Sequence, residues 1–247
     1  MTRIAILQMT SGIDPAANAI TLSDAVNRAG GGGARMLFTP EMSGLLDRDR
    51  KRAAETIVPE SEDRSLAAVR EAAAKAGIWV ALGSLAIERD DGRWANRSLV
   101  IDPAGAIAAR YDKIHMFDVT LATGESWRES AAYVPGEAVV TLDGTPVGRL
   151  GLTVCYDIRF PELFQQIKKA GAEMLFVPAA FPLVRIDAWR SLLIERAKET
   201  GLKTIGINAV GDDSTNVFGG NSMVIAPDGT VLHETDQRSE LTLDFEL

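Results

Sequence analysis

Cys155 is the only cysteine in the chain, and it directly follows a predicted buried strand at residues 147–154. Open α/β sheets bind ligands at the carboxyl ends of their strands, so a thiol at this position is a candidate nucleophile. A lone cysteine in a protein of this kind is more often a small buried apolar residue. A nucleophilic thiol also needs a group that removes its proton, because the thiolate is the reactive form.

The base for such a thiol is either a histidine or a carboxylate. Of the two histidines, His233 falls in a predicted edge strand far from the expected site, which leaves His115. Glu41 lies just after a predicted strand at 36–38, and Lys113 begins a long predicted loop. A glutamate beside a lysine can accept a thiol proton, although each side chain alone is typical of a solvated surface group. From the residues alone, a cysteine–histidine and a cysteine–glutamate–lysine arrangement both stay open.

Alternating strand and helix patterns position these candidates. An apolar run at 3–9 predicts a strand, and Asp14 followed by a proline predicts the start of a helix that ends at the glycines 30–33. Residues 113–137 predict a long irregular loop, and long loops are often functional. The remaining predicted strands are 36–38, 78–87, 97–101, 106–111, 147–154, 174–177, 204–209, 222–226 and 231–234, with turns at 90–92, 102–105, 143–144 and 227–229. The remaining predicted helices are 61–77, 161–170 and 187–201.

Two segments of the chain resemble each other. Residues 33–40 (GARMLFTP) and 171–178 (GAEMLFVP) agree at six of eight positions, and each closes a predicted strand–helix–strand unit. We therefore expect two pseudo-equivalent halves that share one core, with chance similarity between buried strands as the alternative. No linker or low-complexity segment divides the chain, which predicts a single domain over residues 1–247.

Composition limits the possible partners. The chain has 26 basic and 34 acidic residues, and a net charge of −8 argues against a nucleic-acid partner. No apolar run reaches the roughly 18 residues that a membrane helix needs, and the N-terminus does not resemble a signal peptide. We expect a cytoplasmic protein with no membrane partner. One cysteine and two distant histidines make a poor ligand set, so no metal and no other cofactor is expected.

Three segments together resemble the signature segments of the nitrilase superfamily of carbon–nitrogen hydrolases. They are residues 39–42 (TPEM), 111–118 (YDKIHMFD) and 151–162 (GLTVCYDIRFPE), in the order and at the separations of the superfamily. The resemblance covers nearly the whole chain. The second and third segments are most similar to the branch of ω-amidases and deaminated-glutathione amidases, so nitrile hydrolysis is the less expected activity.

The resemblance implies an α/β fold, a four-layer α-β-β-α sandwich of the nitrilase type, and a catalytic set. In that set Glu41 is the general base and acid, Lys113 is the cation near the developing oxyanion, and Cys155 is the nucleophile. Glu129 matches a second glutamate that helps to hold the lysine and the substrate. We expect the lysine to lower the pKa of the thiol, and to receive the oxyanion together with the backbone N–H of Tyr156.

The resemblance also implies a substrate pocket and a reaction. The candidate substrate-binding residues are Tyr156, Arg159, Phe117 and Phe181. Arg159 either binds a substrate carboxylate or pairs with Asp157 or Glu162. The implied reaction is cofactor-free hydrolysis of a small linear amide, such as an ω-amide of a carboxylic or α-keto acid or a deaminated-glutathione-like compound, through a thioester.

Two other functions are consistent with the same segments. One is an N-carbamoyl amine hydrolase that uses the same residues, and the other is a catalytically silent interaction protein. The sequence differs from the branch at Ala188 and Arg190, where relatives often have histidine and glutamate, which leaves the substrate open. The resemblance further implies a homodimer or a higher homo-oligomer.

Overall fold

The computed structural model describes residues 2–120, 124, 126–213, 215–236 and 242–246. Its helices are α1 (Pro15–Gly31), α2 (Arg50–Ala53), α3 (Arg64–Ala76), α4 (Pro161–Lys169) and α5 (Ile186–Thr200). Its strands are β1 (Arg3–Leu7), β2 (Met36–Phe38), β3 (Trp79–Glu88), β4 (Trp94–Ile101), β5 (Ile107–Asp112), β6 (Asp118–Thr120), β7 (Ser126–Arg128), β8 (Thr141–Thr145), β9 (Gly148–Leu152), β10 (Met174–Ala179), β11 (Lys203–Asn208), β12 (Val210–Asp212), β13 (Val217–Gly219), β14 (Met223–Ile225), β15 (Val231–Glu234) and β16 (Thr242–Glu246).

Two six-stranded sheets form the centre of the molecule. The first sheet has the order β16-β1-β2-β3-β4-β5, and the second has the order β15-β14-β11-β10-β9-β8. Helices α1 and α3 cover the first sheet through a buried cluster that includes Val69 and Val80. Phe38 and Phe176 meet between the two sheets, with ring centroids 5.2 Å apart. Helices α4 and α5 cover the second sheet around Trp189. The expected four-layer α-β-β-α sandwich is confirmed.

Capping residues set the ends of the long helices. The Asp14 side chain accepts a hydrogen bond from the backbone of Ala16 at the start of α1. Gly77 and Gly201 end α3 and α5 with φ angles of 66° and 65°, a left-handed conformation that costs glycine little. The predicted helices and most predicted strands are confirmed to within a few residues. Within the described part of the chain, no helix is long and apolar enough to cross a membrane.

Two sequence-based predictions about local structure are wrong. The predicted turn at 143–144 lies inside β8, because that strand pairs with β9 through an irregular register that admits Gly144 at a φ of 77°. The predicted irregular loop 113–137 contains the short antiparallel pair β6–β7 and a 3₁₀ turn at Glu129–Ala131. Residues 121–123 and 125 of that loop lie outside the described residues.

The two similar sequence segments occupy equivalent places. Strands β1 and β2 are parallel with Ile4 opposite Met36, and strands β9 and β10 are parallel with Leu150 opposite Met174. Each pair belongs to a parallel strand–helix–strand unit in its own sheet. The two units end at the same site, because Glu41 follows β2 and the amide of Ala180 follows β10. The expected pseudo-equivalence of the two halves is confirmed.

Candidate active site

Cys155 begins a short 3₁₀ helix, Cys155–Arg159, shortly after β9. Its φ of 48° is unusual for a residue with a side chain, and backbone strain of this kind concentrates at functional sites. The turn is held by Asp157, whose carboxylate accepts the backbone N–H of Val154 at 2.9 Å. The sequence therefore places the thiol at the carboxyl end of a central strand in a fixed, strained turn.

Asp157 also joins this turn to the segment that carries Lys113. The wholly buried Asp157 carboxylate accepts the hydroxyl of Tyr111 at 2.7 Å and the backbone N–H of His115 at 2.9 Å. The Nδ1 atom of His115 lies 2.8 Å from the same carboxylate, and its ring stacks on Phe160 at 3.7 Å. Burial and the Asp157 charge raise the pKa of Tyr111 well above its usual value, so its hydroxyl stays protonated.

Glu41 lies in a tight turn after β2 that neighbouring polar groups hold in place. The backbone N–H of Met42, which has a φ of 54°, donates to the Ser84 hydroxyl at 2.9 Å. The hydroxyl of Thr39 accepts the backbone N–H of Gly83 at 2.9 Å. This turn buries the Glu41 carboxylate, which is 6% exposed, and directs it into the gap between the two sheets' strand ends.

The carboxylates of Glu41 and Glu129 enclose the ammonium of Lys113. Lys113 Nζ lies 3.2 Å from Glu41 Oε1 and 3.0 and 2.8 Å from the two oxygens of Glu129. The Asn96 amide donates to Glu41 at 2.9 Å and to Glu129 at 3.2 Å. The other Glu41 oxygen accepts the backbone N–H of Ala180 at 3.0 Å. Each of the four oxygens of Glu41 and Glu129 therefore has a donor, which fixes the orientation of both carboxylates.

The pKa values of the lysine and of the thiol are both raised in this cluster. Burial disfavours the ammonium of Lys113, but the Glu129 and Glu41 carboxylates outweigh it and hold its pKa well above the usual range. Burial, followed by the charge of Glu41, also raises the pKa of Cys155 well above that of a free thiol. Lys113 does act to lower it, as expected, but its effect is outweighed. The resting thiol is therefore protonated and depends on a base.

The structure places three of the four candidate substrate-binding residues together. The rings of Tyr156 and Phe117 meet edge to face at 5.1 Å, and the Arg159 guanidinium lies 6.0 Å from the Tyr156 ring. The exposed Arg159 forms no ion pair with Asp157 or Glu162, both of which the structure describes. The ring of Phe181 packs instead against Trp189 in the buried core between the second sheet and its helices.

Sequence reasoning missed three groups that this arrangement depends on: Asn96, Asp157 as the link between the two segments, and the backbone amide of Ala180. The one available signal is the repeated octamer, since Glu41 is the first residue after the first copy and Ala180 is the second residue after the second copy. No group of histidine, cysteine and acidic side chains in the described ranges has the arrangement of a metal site. The chemistry this cluster supports is proton transfer next to a thiol.

Comparison with known proteins decides the family. Residues 3–247 match the carbon–nitrogen hydrolase family. The chain belongs to the carbon–nitrogen hydrolase family. Its sequence is 36% identical over 249 aligned positions to a deaminated glutathione amidase of Yersinia enterocolitica, covering 98% of this chain and 86% of that protein.

Two solved structures of carbon–nitrogen hydrolases are similar to the chain. The NitFhit protein of C. elegans has a TM-score of 0.87 at 32% identity, covering 96% of this chain and 58% of the NitFhit chain. The amidase of Nesterenkonia sp. AN1, in a glutamate-to-glutamine variant with acrylamide added to its active-site cysteine, has a TM-score of 0.88 at 29% identity. That similarity covers all of this chain and 93% of the amidase. Family membership makes this chain a hydrolase of carbon–nitrogen bonds other than peptide bonds, with amides as its small-molecule substrates.

Proposed function

We propose that this carbon–nitrogen hydrolase cleaves a small linear amide that carries a carboxylate, with Cys155 as the nucleophile, and releases ammonia or an amine. The single observation that supports it most is the buried cluster in which Glu41 and Glu129 enclose Lys113 beside the thiol. The substrate class is an ω-amide of a carboxylic or α-keto acid, or a deaminated-glutathione-like compound. The name of the Yersinia relative supports this class.

In the acylation step, Glu41 takes the proton of the thiol while the sulfur attacks the amide carbon. The carbonyl oxygen becomes an oxyanion, which Lys113 and the backbone N–H of Tyr156 stabilise. Glu41 then returns the proton to the nitrogen, the carbon–nitrogen bond breaks, and ammonia or an amine leaves. The acyl group stays on Cys155 as a thioester.

In the deacylation step, Glu41 removes a proton from water as the water oxygen attacks the thioester carbon. A second oxyanion forms in the same place and collapses, the carbon–sulfur bond breaks, and Glu41 gives the proton back to the thiolate. The product is a carboxylic acid, and the resting enzyme is restored. Glu129 takes no proton in either step, because its two oxygens hold Lys113 and the backbone N–H of Phe117.

The exposed guanidinium of Arg159 receives the substrate's carboxylate. An arginine binds a carboxylate through two parallel hydrogen bonds. Arg159 forms no ion pair with Asp157 or Glu162, so its guanidinium can make these bonds to a substrate. The Tyr156 ring lies 6.0 Å from the Arg159 guanidinium and meets the Phe117 ring edge to face. In this proposal the two rings contact the apolar part of the acyl chain.

The decisive experiment measures ammonia release from a panel of substrates by the wild type and by Cys155→Ala. The panel contains ω-amides of carboxylic and α-keto acids, deaminated glutathione, N-carbamoyl compounds and nitriles. We expect turnover of a carboxylate-bearing amide by the wild type and none by the variant, with an unchanged circular dichroism spectrum. Turnover by the variant would refute the mechanism. Preference for N-carbamoyl compounds, with release of carbon dioxide, would replace the substrate class.

A second pair of variants separates Glu41 from His115 as the base. General acid–base catalysis contributes about 10²- to 10⁴-fold to an enzymatic rate. Because Glu41 serves both steps, Glu41→Gln should lose activity at or beyond the top of that range, and no acyl-enzyme should accumulate in mass spectra. His115→Asn should lose only part of the activity, since its Nδ1 is occupied by Asp157. If His115→Asn is inactive and Glu41→Gln keeps more than about a tenth of the activity, the base is misassigned.

The proposed enzyme works as a homodimer or a larger homo-oligomer, as the resemblance to the nitrilase superfamily implies. Light scattering after size-exclusion chromatography tests this proposal. A single-chain mass at micromolar concentration would contradict it.

A further inference from the structure

Asn96 is a buried polar residue near the start of β4 that no step of the proposed mechanism uses. It is fully buried, and its backbone is opposite Ala86 of β3 on one side. On the other side its carbonyl accepts the backbone N–H of Lys113 at 2.9 Å. The main chain of Asn96 is thus fixed between a central strand and the lysine of the cluster.

The side chain of Asn96 donates to both carboxylates of the cluster. Its Nδ2 atom lies 2.9 Å from Glu41 Oε1 and 3.2 Å from Glu129 Oε1. A primary amide has two N–H bonds, so each carboxylate takes one. Rotating the amide by 180° would bring its carbonyl oxygen against two carboxylates, so electrostatics select the observed orientation.

The charge balance explains why a neutral donor is needed here. Glu41 and Glu129 share one cation, Lys113, and Glu129 binds it through both oxygens. A second cation at position 96 would satisfy both carboxylates but would weaken Glu41 as a base. A hydroxyl group has one hydrogen and cannot donate to both carboxylates at once.

We propose that Asn96 is a positioning residue of the active site, whose amide holds Glu41 and Glu129 in their catalytic orientations around Lys113 without adding charge. The proposal rests on the function proposed above and extends it to a residue on a neighbouring strand.

The side-chain oxygen of Asn96 indicates that this amide is not present to stabilise the fold. The Oδ1 atom of Asn96 is buried and has no hydrogen-bond partner among the residues that the structure describes. A buried acceptor without a partner costs stability, whereas an apolar side chain of the same shape does not. Leucine has the same branching and the same number of side-chain heavy atoms as asparagine, so its replacement of Asn96 should harm catalysis far more than folding.

The test compares Asn96→Leu with the wild type, using the best amide from the panel. A misplaced catalytic group costs about 10²-fold, so we expect kcat to fall by about that factor or more while KM changes little. The melting temperature and the circular dichroism spectrum should stay close to those of the wild type. Ser98→Ala is the matched control, because Ser98 is buried on the same face of β4 and, among the described residues, its hydroxyl bonds only to the Leu82 carbonyl.

The pH profile provides a readout that a role in packing alone would not change. Glu41 must be ionised to accept the thiol proton, so kcat/KM falls as acid protonates this carboxylate. Loss of a hydrogen-bond donor to a carboxylate disfavours its ionised form, so the acid limb of kcat/KM should move to higher pH in Asn96→Leu. The titratable groups that face Glu41 are unchanged in the variant: Lys113, Glu129, Cys155 and Tyr133.

The activity and the pH profile of Asn96→Leu can each contradict the role proposed for Asn96. If Asn96→Leu keeps more than about a tenth of the wild-type kcat, or its acid limb does not move, the proposal is wrong. If Asn96→Leu does not fold, Asn96→Ala removes the same donor without a steric clash and is judged by the same two measurements. Cys155→Ala runs in the same assay, so activity in that variant would show a failure of the proposed function rather than of the role of Asn96.

Discussion

The thiol of Cys155 is a weak acid in the resting site, which bears on the order of the chemical steps. Burial and the negative charge of Glu41 both raise its pKa, and Lys113 only partly opposes them. A permanent thiolate–ammonium pair is therefore not the resting state. In the proposed mechanism, Glu41 therefore takes the proton from the sulfur during the attack on the amide, so the nucleophile forms only when substrate is present.

Glu41 raises the pKa of Cys155 and Lys113 lowers it, so replacing Glu41 should change the reactivity of the thiol. Removing the Glu41 charge by Glu41→Gln lowers the pKa of Cys155, because Lys113 stays in place. The variant should therefore react faster than the wild type with a small neutral thiosulfonate at pH 7, although it hydrolyses no amide. In the wild type, the rate should rise throughout the range from pH 6 to pH 10 without levelling off, because the pKa of Cys155 is raised and the reactive thiolate stays a minor form.

Loss of free thiol, followed spectroscopically from pH 6 to pH 10, measures this prediction. Cys155 is the only cysteine, so Cys155→Ala gives the background rate directly. An equal or slower reaction of Glu41→Gln would show that the carboxylate does not control the thiol.

Lys113 pairs with two buried carboxylates and, in the proposed mechanism, also stabilises the oxyanion, and the two contributions are separable. Lys113→Met leaves Glu41 and Glu129 buried without their cation, which typically costs about 3 to 5 kcal/mol of stability. It also removes an oxyanion donor, whose loss costs about 10²- to 10³-fold in kcat.

The double variant Lys113→Met/Glu129→Gln removes one of the two unpaired charges. We expect urea denaturation to show a partial recovery of stability, while kcat stays as low as in the single variant. Recovery of activity together with stability would mean that Lys113 acts only through the fold.

Sequence similarity could identify the charged residues of the site but not the neutral groups that orient them. Glu41, Lys113 and Cys155 lie in short segments that resemble known signatures. Asn96 is one of several polar residues in β4, and nothing in its neighbours along the chain shows that it is fully buried against two carboxylates. Such a role depends on packing between strands that are distant in sequence.

At the scale of the elements, a close approach between β3 and the turn after β2 sets the position of Glu41. A β-carbon on Gly83 would lie 2.1 Å from the carbonyl oxygen of Pro40 and 2.3 Å from that of Thr39. Both neighbours are backbone atoms, which cannot rotate away. Glycine at this position allows the Thr39–Pro40 backbone to lie directly against the strand.

Gly83→Ala should therefore disturb catalysis through the backbone. Overpacking typically costs about 1 to 3 kcal/mol, and a shift of about 1 Å at Glu41 costs about 10²-fold in kcat/KM. Gly31→Ala at the end of α1 is the control, because a β-carbon there contacts nothing within 4 Å. Thermal unfolding and kcat/KM measure both effects, and a fully active Gly83→Ala would contradict this account of the turn.

The elements themselves differ in how well the sequence predicts them. Helices α1 and α3 have capping residues at the expected places, Asp14 and Gly77, so their boundaries follow from local chemistry. Strand β8 was missed because Gly144 is typical of a turn, whereas pairing with β9 holds it inside an irregular strand. Strands β6 and β7 have three residues each, too few for an alternating pattern.

At the scale of the whole molecule, the end of β1 is joined to the second sheet by a buried polar network. The side-chain oxygen of Gln8 accepts the N–H of Ser222 at 3.0 Å and the hydroxyls of Ser222 and Thr235 at 2.7 Å each. The Ser222 hydroxyl accepts the backbone N–H of Asn208. The side chain of Asn208 in turn accepts the backbone N–H of Phe181 and donates to the carbonyl of Phe181. The network thus extends from the first sheet to the residue next to Ala180.

Gln8→Ala should lower the stability of the whole sandwich while leaving the site largely intact. The variant removes the shared acceptor of three buried donors, and such donors cost about 1 to 3 kcal/mol each when they find no other partner. Ser222 and Thr235 also bond to each other, which reduces the total to about 2 to 4 kcal/mol.

For a chain of this length, that loss corresponds to a fall of about 10 °C in the melting temperature. The kcat of the folded variant at 15 °C should stay close to that of the wild type, because Asn208 keeps its bonds to Phe181 and Gly220. Gln165→Ala, a substitution of an exposed glutamine on α4, is the control and should change stability by less than about 0.5 kcal/mol. An unchanged melting temperature for Gln8→Ala would show that apolar packing alone joins the two sheets, whereas a loss of kcat at full folding would show that the network also positions Ala180 against Glu41.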